Sequence, residues 1–258
     1  MCSQTHSGEN TLSKVSKYRT KKLAQQEAEN TIPFNPQQVK AQRRHVELIP
    51  KTFNQERFIL ALNDNNQHIV VSVGPAGSGK TYLAMLAAIR ALRSGECERI
   101  ILTRPAVGVE DEKHGFLPGT LDQKMEPWTR PLLDVLREYY HPNDITRMMK
   151  DQIIEISPLA FMRGRTFKDA WIVADEMQNA TPGQMKMLLT RIGQNSRIVV
   201  TGDVEQTDRS SKQNGLLDLA TKLKTMNPNG ISICQLTAKD IQRHPIIDTV
   251  LTLYKEED

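Results

Sequence analysis

No segment of the chain restricts its fold as strongly as Gly74-Pro75-Ala76-Gly77-Ser78-Gly79-Lys80-Thr81. The segment fits G-x-x-x-x-G-K-[ST], a loop that joins a β-strand to an α-helix and surrounds phosphates with backbone N–H groups. The flanks agree, because a short β-branched run at 68–73 precedes the loop and strong helix formers at 82–93 follow it. The sequence therefore predicts a strand, a phosphate-binding loop and a helix, in that order.

The residue types in this loop are those that binding of a nucleoside triphosphate requires. Gly74, Gly77 and Gly79 permit a sharp turn and a close approach of the backbone to phosphate oxygens. By the usual roles of the motif, Lys80 reaches the β- and γ-phosphates and the Thr81 hydroxyl binds Mg²⁺. We therefore expect all eight residues of the segment to contribute to a nucleotide site.

A second candidate segment runs from Ala170 to Gln178, where an apolar stretch ends in Asp175 and Glu176. An ATPase needs carboxylates opposite its phosphate loop, where Asp175 would hold Mg²⁺ through water and Glu176 would polarise the attacking water. An Asp-Glu pair after a strand is common by itself. Because this pair lies 95 residues after Lys80, downstream of a well-formed phosphate loop, we predict that it is the hydrolytic pair.

Gln55 lies 25 residues before Lys80, next to a predicted helix at 56–63 with Thr52 or Asn54 as its N-cap. A glutamine amide can donate one hydrogen bond to adenine and accept another from the exocyclic amine, which would favour ATP over GTP. The spacing is a weak signal, because a glutamine on a helix surface is usually solvated. Both interpretations stay open at this point.

Gln206 closes a polar segment, 202–206, that follows a predicted strand at 197–201. In this class of ATPase a strand inserted between the phosphate-loop strand and the carboxylate strand brings polar residues beside the γ-phosphate. Gln206 is well placed to sense that phosphate. Asp203 or Thr201 could instead simply cap the turn.

The pattern of strands and helices predicts the fold class. Besides those above, we predict strands at 99–103, 153–156 and 231–236 and helices at 127–140, 142–150, 183–192, 214–226 and 245–254. A long irregular stretch at 107–125 is typical of a functional loop. Apolar strands that alternate with helices indicate an α/β fold with a mainly parallel sheet sandwiched by helices.

The chain divides by composition near residue 45. Residues 1–45 carry eight Lys or Arg and three Glu, are rich in Ser, Thr, Gln and Asn, and leave the rest of the chain almost neutral. We expect this segment to be disordered or only locally helical and residues 46–258 to form the domain. The tail could contact nucleic acid through phosphates, or it could be a solvated leader.

The apolar segments and the cysteines indicate where in the cell the protein is expected. No stretch approaches the length of a membrane span and the N-terminus has no apolar segment like a signal peptide, so we expect no membrane contact and a cytoplasmic location. Cys2, Cys97 and Cys234 are widely spaced without a C-x-x-C motif. They are predicted to be ordinary reduced thiols.

A basic segment with aromatic residues lies at 157–168. Arg163, Arg165 and Lys168 flank a glycine and the rings of Phe161 and Phe167. Such a loop could hold single-stranded nucleic acid by phosphate contact and base stacking. The alternative is that both rings lie in the core and the arginines in solvent.

Several motifs in order resemble one family. They are GPAGSGKT, ILTRPAVGVE, SPLAFMRGRTF, ADEMQNATPGQMKMLLTRIG, VVTGDVEQTDR and DIQRHPIID. Together they resemble the PhoH-like family of P-loop ATPases, akin to one RecA-type domain of superfamily 1 helicases, over residues 46–254. The resemblance implies an ATP and Mg²⁺ site in which Gln55 reads adenine, Asp175 and Glu176 form the Walker B pair, and Gln178 and Gln206 link nucleotide state to movement.

The resemblance also raises the question of a missing domain. Superfamily 1 helicases close ATP between two RecA-like domains, the second of which supplies an arginine that stabilises transition-state charge. This chain has room for one such domain. We therefore hypothesise a head-to-tail hexameric ring in which each site is completed by a neighbour. Arg243 is the best candidate for that arginine, with Arg209 and Arg165 as rivals.

Two functions agree with the sequence. The first is an ATPase that moves along or remodels RNA or another single-stranded nucleic acid. The second is a slow ATPase that acts as a nucleotide-dependent regulatory or scaffold protein, in line with the association of the family's name with phosphate starvation.

Overall fold

Six parallel β-strands form the centre of the computed structural model, which describes residues 45–105, 121–206, 214–243 and 246–247. The strands are β1 (Ile69–Val73), β2 (Arg99–Thr103), β3 (Ile154–Ile156), β4 (Ala170–Ala174), β5 (Arg197–Gly202) and β6 (Ile231–Gln235). The helices are α1 (Phe53–Asn63), α2 (Lys80–Ser94), α3 (Leu121–Tyr139), α4 (Pro142–Lys150), α5 (Pro182–Leu189) and α6 (Gly215–Met226). All of these residues lie in one compact unit, Pro36–Asp258.

The sheet has the strand order β3-β2-β4-β5-β1-β6, and every neighbouring pair is parallel. The predicted α/β class with a parallel sheet is therefore confirmed. The fifth strand lies between β1, which leads into the phosphate loop, and β4, which leads into the carboxylates. This is the RecA-like arrangement that the sequence predicts, and it brings the carboxyl ends of all three strands to one edge of the sheet.

Helices cover both faces of the sheet. On one face, side chains of β1, β4 and β5 pack with those of α5 and α6 in a single apolar cluster. The second helix, α2, packs on β2, β4 and β5 and is itself flanked by α1 and α3. Every residue of β1 and β4 is buried, as expected of central strands in a parallel sheet.

Side chains at two helix N-termini satisfy backbone donors. Thr52, one of the two predicted caps, accepts a hydrogen bond from Gln55 N at the start of α1. Thr181 forms a capping box with Gln184 ahead of Pro182, the first residue of α5. These caps fix where the polypeptide enters each helix.

The structure corrects the limits of three helices. The first begins at Phe53 rather than 56, directly after its cap Thr52. The third helix begins at Leu121 rather than 127, because a helix can continue through Pro127 by giving up one backbone hydrogen bond. The fifth ends at Leu189 rather than 192, since the chain must turn where Gly193 packs against the Phe167 carbonyl. The predicted tail, most of the irregular stretch at 107–125 and the helix at 245–254, apart from Ile246 and Ile247, lie outside the described residues.

Two of the three thiols lie in the described part of the chain. Cys97 and Cys234 are free, and burial raises the pKa of these thiols to about 12 and about 11. They are therefore protonated at neutral pH, as expected of unreactive cysteines. Within the described ranges, none of the helices has the length and apolar character needed to cross a membrane.

Candidate active site

The phosphate loop has the backbone geometry that its glycines predict. Gly77 and Gly79 adopt left-handed conformations, with φ of 81° and 85°. At Gly74 a Cβ atom would lie 2.5 Å from the carbonyl oxygen of Leu236, so only glycine fits there. Between these positions the Ser78 hydroxyl donates to the Pro75 carbonyl at 2.7 Å. The Ser78 hydroxyl thus closes the loop on itself two residues before α2 begins.

Lys80 is folded back onto this loop. Its Nζ donates to the carbonyl oxygens of Gly74 and Pro75 at 2.7 and 2.8 Å. Burial lowers the pKa of Lys80, and the nearby carboxylates of Asp203 and Asp175 oppose that shift. The ammonium group therefore lies inside the loop, where phosphate oxygens can replace the carbonyl acceptors.

Asp175 accepts hydrogen bonds from hydroxyl groups on two other elements. Its Oδ1 accepts from Thr81 Oγ1 at 2.7 Å and from Thr201 Oγ1 at 2.6 Å, and the residue is buried. Hydroxyl and carboxylate oxygens are the protein ligands that Mg²⁺ prefers, so these residues fit a Mg²⁺–nucleotide complex. The described residues contain no cluster of three or more His, Cys, Asp or Glu that could hold a metal ion. A nucleotide-bound Mg²⁺ needs none, because phosphates and water supply most of its ligands.

Glu176 follows in a left-handed backbone conformation, with φ of 54°. Its Oε2 accepts from Gln178 Nε2 at 2.5 Å, and Gln178 Oε1 accepts from the backbone N–H of Asp203 at 3.1 Å. The side chain of Gln178 therefore joins the end of β4 to the end of β5. A Cβ atom on Gly202 would lie 2.5 Å from Gln178 Oε1, which explains the glycine at that position.

Arg104 is a site residue that the sequence analysis missed. Its Nη2 lies 3.2 Å from Asp175 Oδ2 and 3.0 Å from Glu176 Oε1, so one guanidinium group bridges both carboxylates. The residue follows β2, whose last residue, Thr103, pairs with Ala174 of β4. Only the strand order reveals this neighbour, because 71 residues separate Arg104 from Asp175.

The end of β5 and the residues after it form another part of the site. Gln206 is exposed and borders a cavity of about 260 Å³ that Lys80, Thr81, Asp175 and Glu176 also line. The turn-capping alternative applies to Asp203, whose Oδ1 accepts from the Glu205 backbone N–H at 3.1 Å. It does not apply to Thr201, which donates to Asp175 instead.

Gln55 lies in the protein interior and not on a solvated helix surface. It is 4% exposed, its Oε1 accepts from the Lys51 backbone N–H at 2.8 Å, and its Nε2 donates to the Ser78 carbonyl at 3.0 Å. It also borders a second cavity, of about 610 Å³, with residues that include Ile49 and Tyr82. The cavity adjoins the phosphate loop at Gly77 and Gly79.

The predicted arginines lie in different surroundings. Arg243 lies against the phosphate loop of its own chain, since a Cβ atom on Gly77 would be 2.4 Å from Arg243 Nε. The Gln242 backbone N–H donates to the Gly77 carbonyl at 2.9 Å. Arg165 forms an ion pair with Glu155 and stacks over a buried ring, whereas Arg209 lies outside the described residues.

A larger cavity, of about 790 Å³, opens at the amino ends of the strands. Its lining includes His68, Trp171 and Arg197 but no residue of the phosphate loop or of the carboxylate pair. The chemistry of the site therefore lies at the smaller cavities on the opposite edge of the sheet.

The phosphate loop, the carboxylate pair and the intervening strand together define a P-loop NTPase domain of the ATPase type. A sequence model of the family described as "PhoH-like protein" matches residues 47–255. The chain therefore belongs to the PhoH-like family.

Curated relatives agree with this assignment. The chain is 44% identical over 222 residues to a PhoH-like protein of Synechocystis sp., covering 85% of this chain and 66% of the relative. It is 47% identical over 213 residues to a PhoH-like protein of Mycobacterium tuberculosis, covering 82% and 59%. Protein PhoH of Escherichia coli K12 is 40% identical over 161 residues, covering 58% and 45%. The chain thus spans 59% to 66% of the length of the first two relatives.

Solved structures show weaker similarity. The crystal structure of the Pyrococcus furiosus Hef helicase domain matches with a TM-score of 0.43 and 11% identity over 74% of this chain and 39% of that chain. The SWI2/SNF2 ATPase core of Sulfolobus solfataricus matches with a TM-score of 0.40 and 14% identity, over 76% and 47%.

Arg104 gives a prediction about stability without ligands. Arg104→Gln leaves two adjacent carboxylates without their shared counter-charge, so we expect the free energy of unfolding to fall by about 1–3 kcal/mol. Urea unfolding in the absence of Mg²⁺ and nucleotide measures this loss. As a control, Arg137→Gln removes an exposed pair with Asp134 and should cost less than about 1 kcal/mol.

A double-mutant cycle tests whether the cost arises from the pair itself. Combined with Glu176→Gln, Arg104→Gln should cost less than it does alone, by about 0.5 kcal/mol or more. Additive losses would show that Arg104 stabilises the fold through other contacts.

Proposed function

We propose that the protein hydrolyses ATP with Mg²⁺ and couples hydrolysis to the binding or remodelling of RNA or another single-stranded nucleic acid. The observation that carries the ATPase proposal is the convergence of Lys80, Thr81, Asp175 and Glu176 on one cavity of about 260 Å³. A cavity of that size beside a glycine-rich loop suits the β- and γ-phosphates of a nucleotide.

The proposed reaction assigns a role to each side chain. Lys80 exchanges the carbonyl oxygens of Gly74 and Pro75 for phosphate oxygens, because the phosphates are the stronger acceptors. Thr81 and Asp175 would hold Mg²⁺, which would supply charge neutralisation at the phosphates. Glu176 orients the attacking water and accepts its proton.

Two contacts support the role of Glu176 in that reaction. Arg104 and Gln178 bind different oxygens of its carboxylate, so the side chain is directed before a nucleotide arrives. Each carboxylate oxygen retains lone-pair capacity for a water molecule. Gln206 borders the same cavity from the segment that follows β5, and we propose that it senses the γ-phosphate.

We propose that Gln55 reads the adenine base. Both ends of its amide bind the backbone, and one N–H and one lone pair are left for a ligand. Its position on the cavity of about 610 Å³, next to the phosphate loop, supports this role. Since Gln55 also holds Ser78, contact with a base would act directly on the loop.

The ATPase proposal predicts turnover that depends on Glu176. We expect Glu176→Gln to lower kcat for ATP by 100-fold or more while ATP still binds, because the substitution removes the general base. Steady-state hydrolysis, with and without single-stranded RNA and DNA, provides the measurement. Stimulation of several-fold by a polymer, lost in Glu176→Gln, supports coupling to nucleic acid. A low rate indifferent to both polymers would favour the regulatory or scaffold function instead.

Phe161 and Arg163 support a nucleic-acid surface at the carboxyl end of β3. Of the two rings predicted to stack or to pack, Phe167 is buried, whereas Phe161 is 58% exposed. Arg163 is exposed close to it, beyond the short 3₁₀-helix Leu159–Met162. An exposed ring beside an exposed cation is the combination that binds stacked bases and phosphates.

This surface gives a prediction for nucleic-acid binding. Phe161→Ala should weaken binding of single-stranded RNA by about 1–3 kcal/mol through loss of stacking. Arg163→Ala should weaken it and reduce the dependence of log Kd on log salt by about one unit. Fluorescence anisotropy at several salt concentrations measures both. Met226→Ala and Lys224→Ala are matched exposed controls on α6 that should leave binding unchanged. If the control substitutions on α6 weaken RNA binding as much as those at Phe161 and Arg163, the proposed surface is wrong.

We propose that the protein works as a head-to-tail ring, in the simplest form a hexamer, in which Arg243 acts at the phosphates. The contact of Arg243 with Gly77 supports a role at the phosphate loop. That contact is made within one chain, so the arginine could serve its own site or that of a neighbour.

Mixing two inactive variants distinguishes an arginine that acts within its own chain from one that acts on a neighbouring subunit. Arg243→Ala should reduce kcat by at least 100-fold with ATP binding nearly intact, and Lys80→Ala should lose binding. If Arg243 acts on a neighbour, mixed subunits regain hydrolysis, because an intact loop on one variant meets an intact arginine on the other. No recovery in a mixed oligomer verified by native mass spectrometry would assign Arg243 to its own chain.

A further inference from the structure

Tyr82 occupies a position on α2 that the reaction described above does not use. It follows Thr81 directly, and its side chain is 40% exposed. The residue borders both the cavity of about 260 Å³ at the carboxylates and the cavity of about 610 Å³ at Gln55. Among the described residues it is the one aromatic side chain that the two cavities share.

The two cavities meet at a narrow boundary. The residues common to both are Gly77, Gly79 and Tyr82. A nucleotide whose terminal phosphates lie at Lys80 continues from its α-phosphate through the ribose to the base. The base must therefore lie beyond this boundary, in the cavity of about 610 Å³, and the one side chain at the boundary in the described part of the chain is that of Tyr82.

The ring is held at its outer end. Its hydroxyl donates to Glu138 Oε2 on α3 at 3.2 Å. Burial, together with Tyr139 and Glu138, raises the pKa of the Tyr82 hydroxyl, so it remains a donor throughout the physiological pH range. A side chain anchored at both ends loses little conformational entropy when a flat ligand packs on its face.

The cavity of about 610 Å³ is also lined by an apolar side chain and a polar one. Ile49 is 66% exposed and lines this cavity with Gln55. An aromatic face, an aliphatic side chain and a single amide are the components of a site for a planar heterocycle.

We propose that Tyr82 is the stacking platform for the nucleobase, which lies in the cavity of about 610 Å³ between its ring and Ile49. This inference rests on the proposed function and extends it from the phosphates to the base. Stacking is tolerant of base identity, so Tyr82 supplies affinity for any nucleoside triphosphate and Gln55 supplies the preference for adenine.

The test compares a ligand that has a base with one that lacks it. Isothermal titration calorimetry with Mg²⁺ measures the Kd of ATP and of inorganic triphosphate for the full chain and its variants. Tyr82→Ala should raise the Kd of ATP by about 10-fold to 100-fold and leave the Kd of triphosphate within about twofold. GTP and CTP should lose affinity to a similar extent.

Tyr82→Phe is the matched control, because it keeps the ring and removes the hydrogen bond to Glu138. It should bind ATP within about threefold of the unmodified protein. An equal loss in Tyr82→Phe and Tyr82→Ala would overturn the proposal, since the role would then belong to the hydroxyl group. A parallel loss of ATP and triphosphate in Tyr82→Ala would overturn it as well, because a disturbed phosphate loop affects both ligands.

The same titration distinguishes failure of this inference from failure of the proposed function. If Lys80→Ala abolishes binding of both ligands while Tyr82→Ala alters neither, the nucleotide site stands and the stacking role is wrong. If the unmodified protein binds neither ATP nor triphosphate, both proposals are wrong.

Discussion

The carboxylate of Asp175 is the point at which the elements of the site are joined. It accepts hydrogen bonds from Thr81 at the start of α2, from Thr201 on β5 and from Arg104 after β2. A buried carboxylate is costly unless donors replace the water it has lost, and here three donors come from three different elements. The geometry of the site is therefore part of the stability of the fold, because the strands cannot separate without exposing this group.

The distribution of charge around Asp175 follows from the same constraint. Asp175, Glu176 and Asp203 bring three carboxylates close to the phosphate loop, and the proposed ligand is itself an anion. Arg104 lies behind the first two, outside the residues that line the phosphate cavity, whereas Lys80 lies inside it. One cation thus offsets repulsion between the carboxylates while the other remains available to the ligand. A single cation could not both offset the carboxylates and bind the ligand, because the positions of Arg104 and Lys80 are separated by the carboxylates themselves.

The sequence predicts what depends on local patterns, and the structure adds what depends on strand order. The phosphate loop, β2 and α4 lie where the pattern predicts, because residues adjacent in sequence define each of them. Arg104 was missed, since its carboxylate partners are distant in the chain and become neighbours only through the sheet. For Gln55 the sequence left a solvated and a ligand-binding position open, and its contact with Ser78 through the packing of α1 excludes the solvated one. Pro127 shows the opposite limitation, in which a local signal for a helix start was overruled by a helix that begins six residues earlier.

The phosphate loop is also held from outside by two segments that are far apart in the sequence. Gln55 Nε2 donates to the Ser78 carbonyl, and the Gln242 backbone N–H donates to the Gly77 carbonyl. Consecutive carbonyls of the loop thus bind α1 on one side and the chain after β6 on the other. Because these carbonyls hold both segments, the loop cannot change conformation without moving them. The same contacts are therefore those through which a change in the loop would reach α1 and the segment after β6.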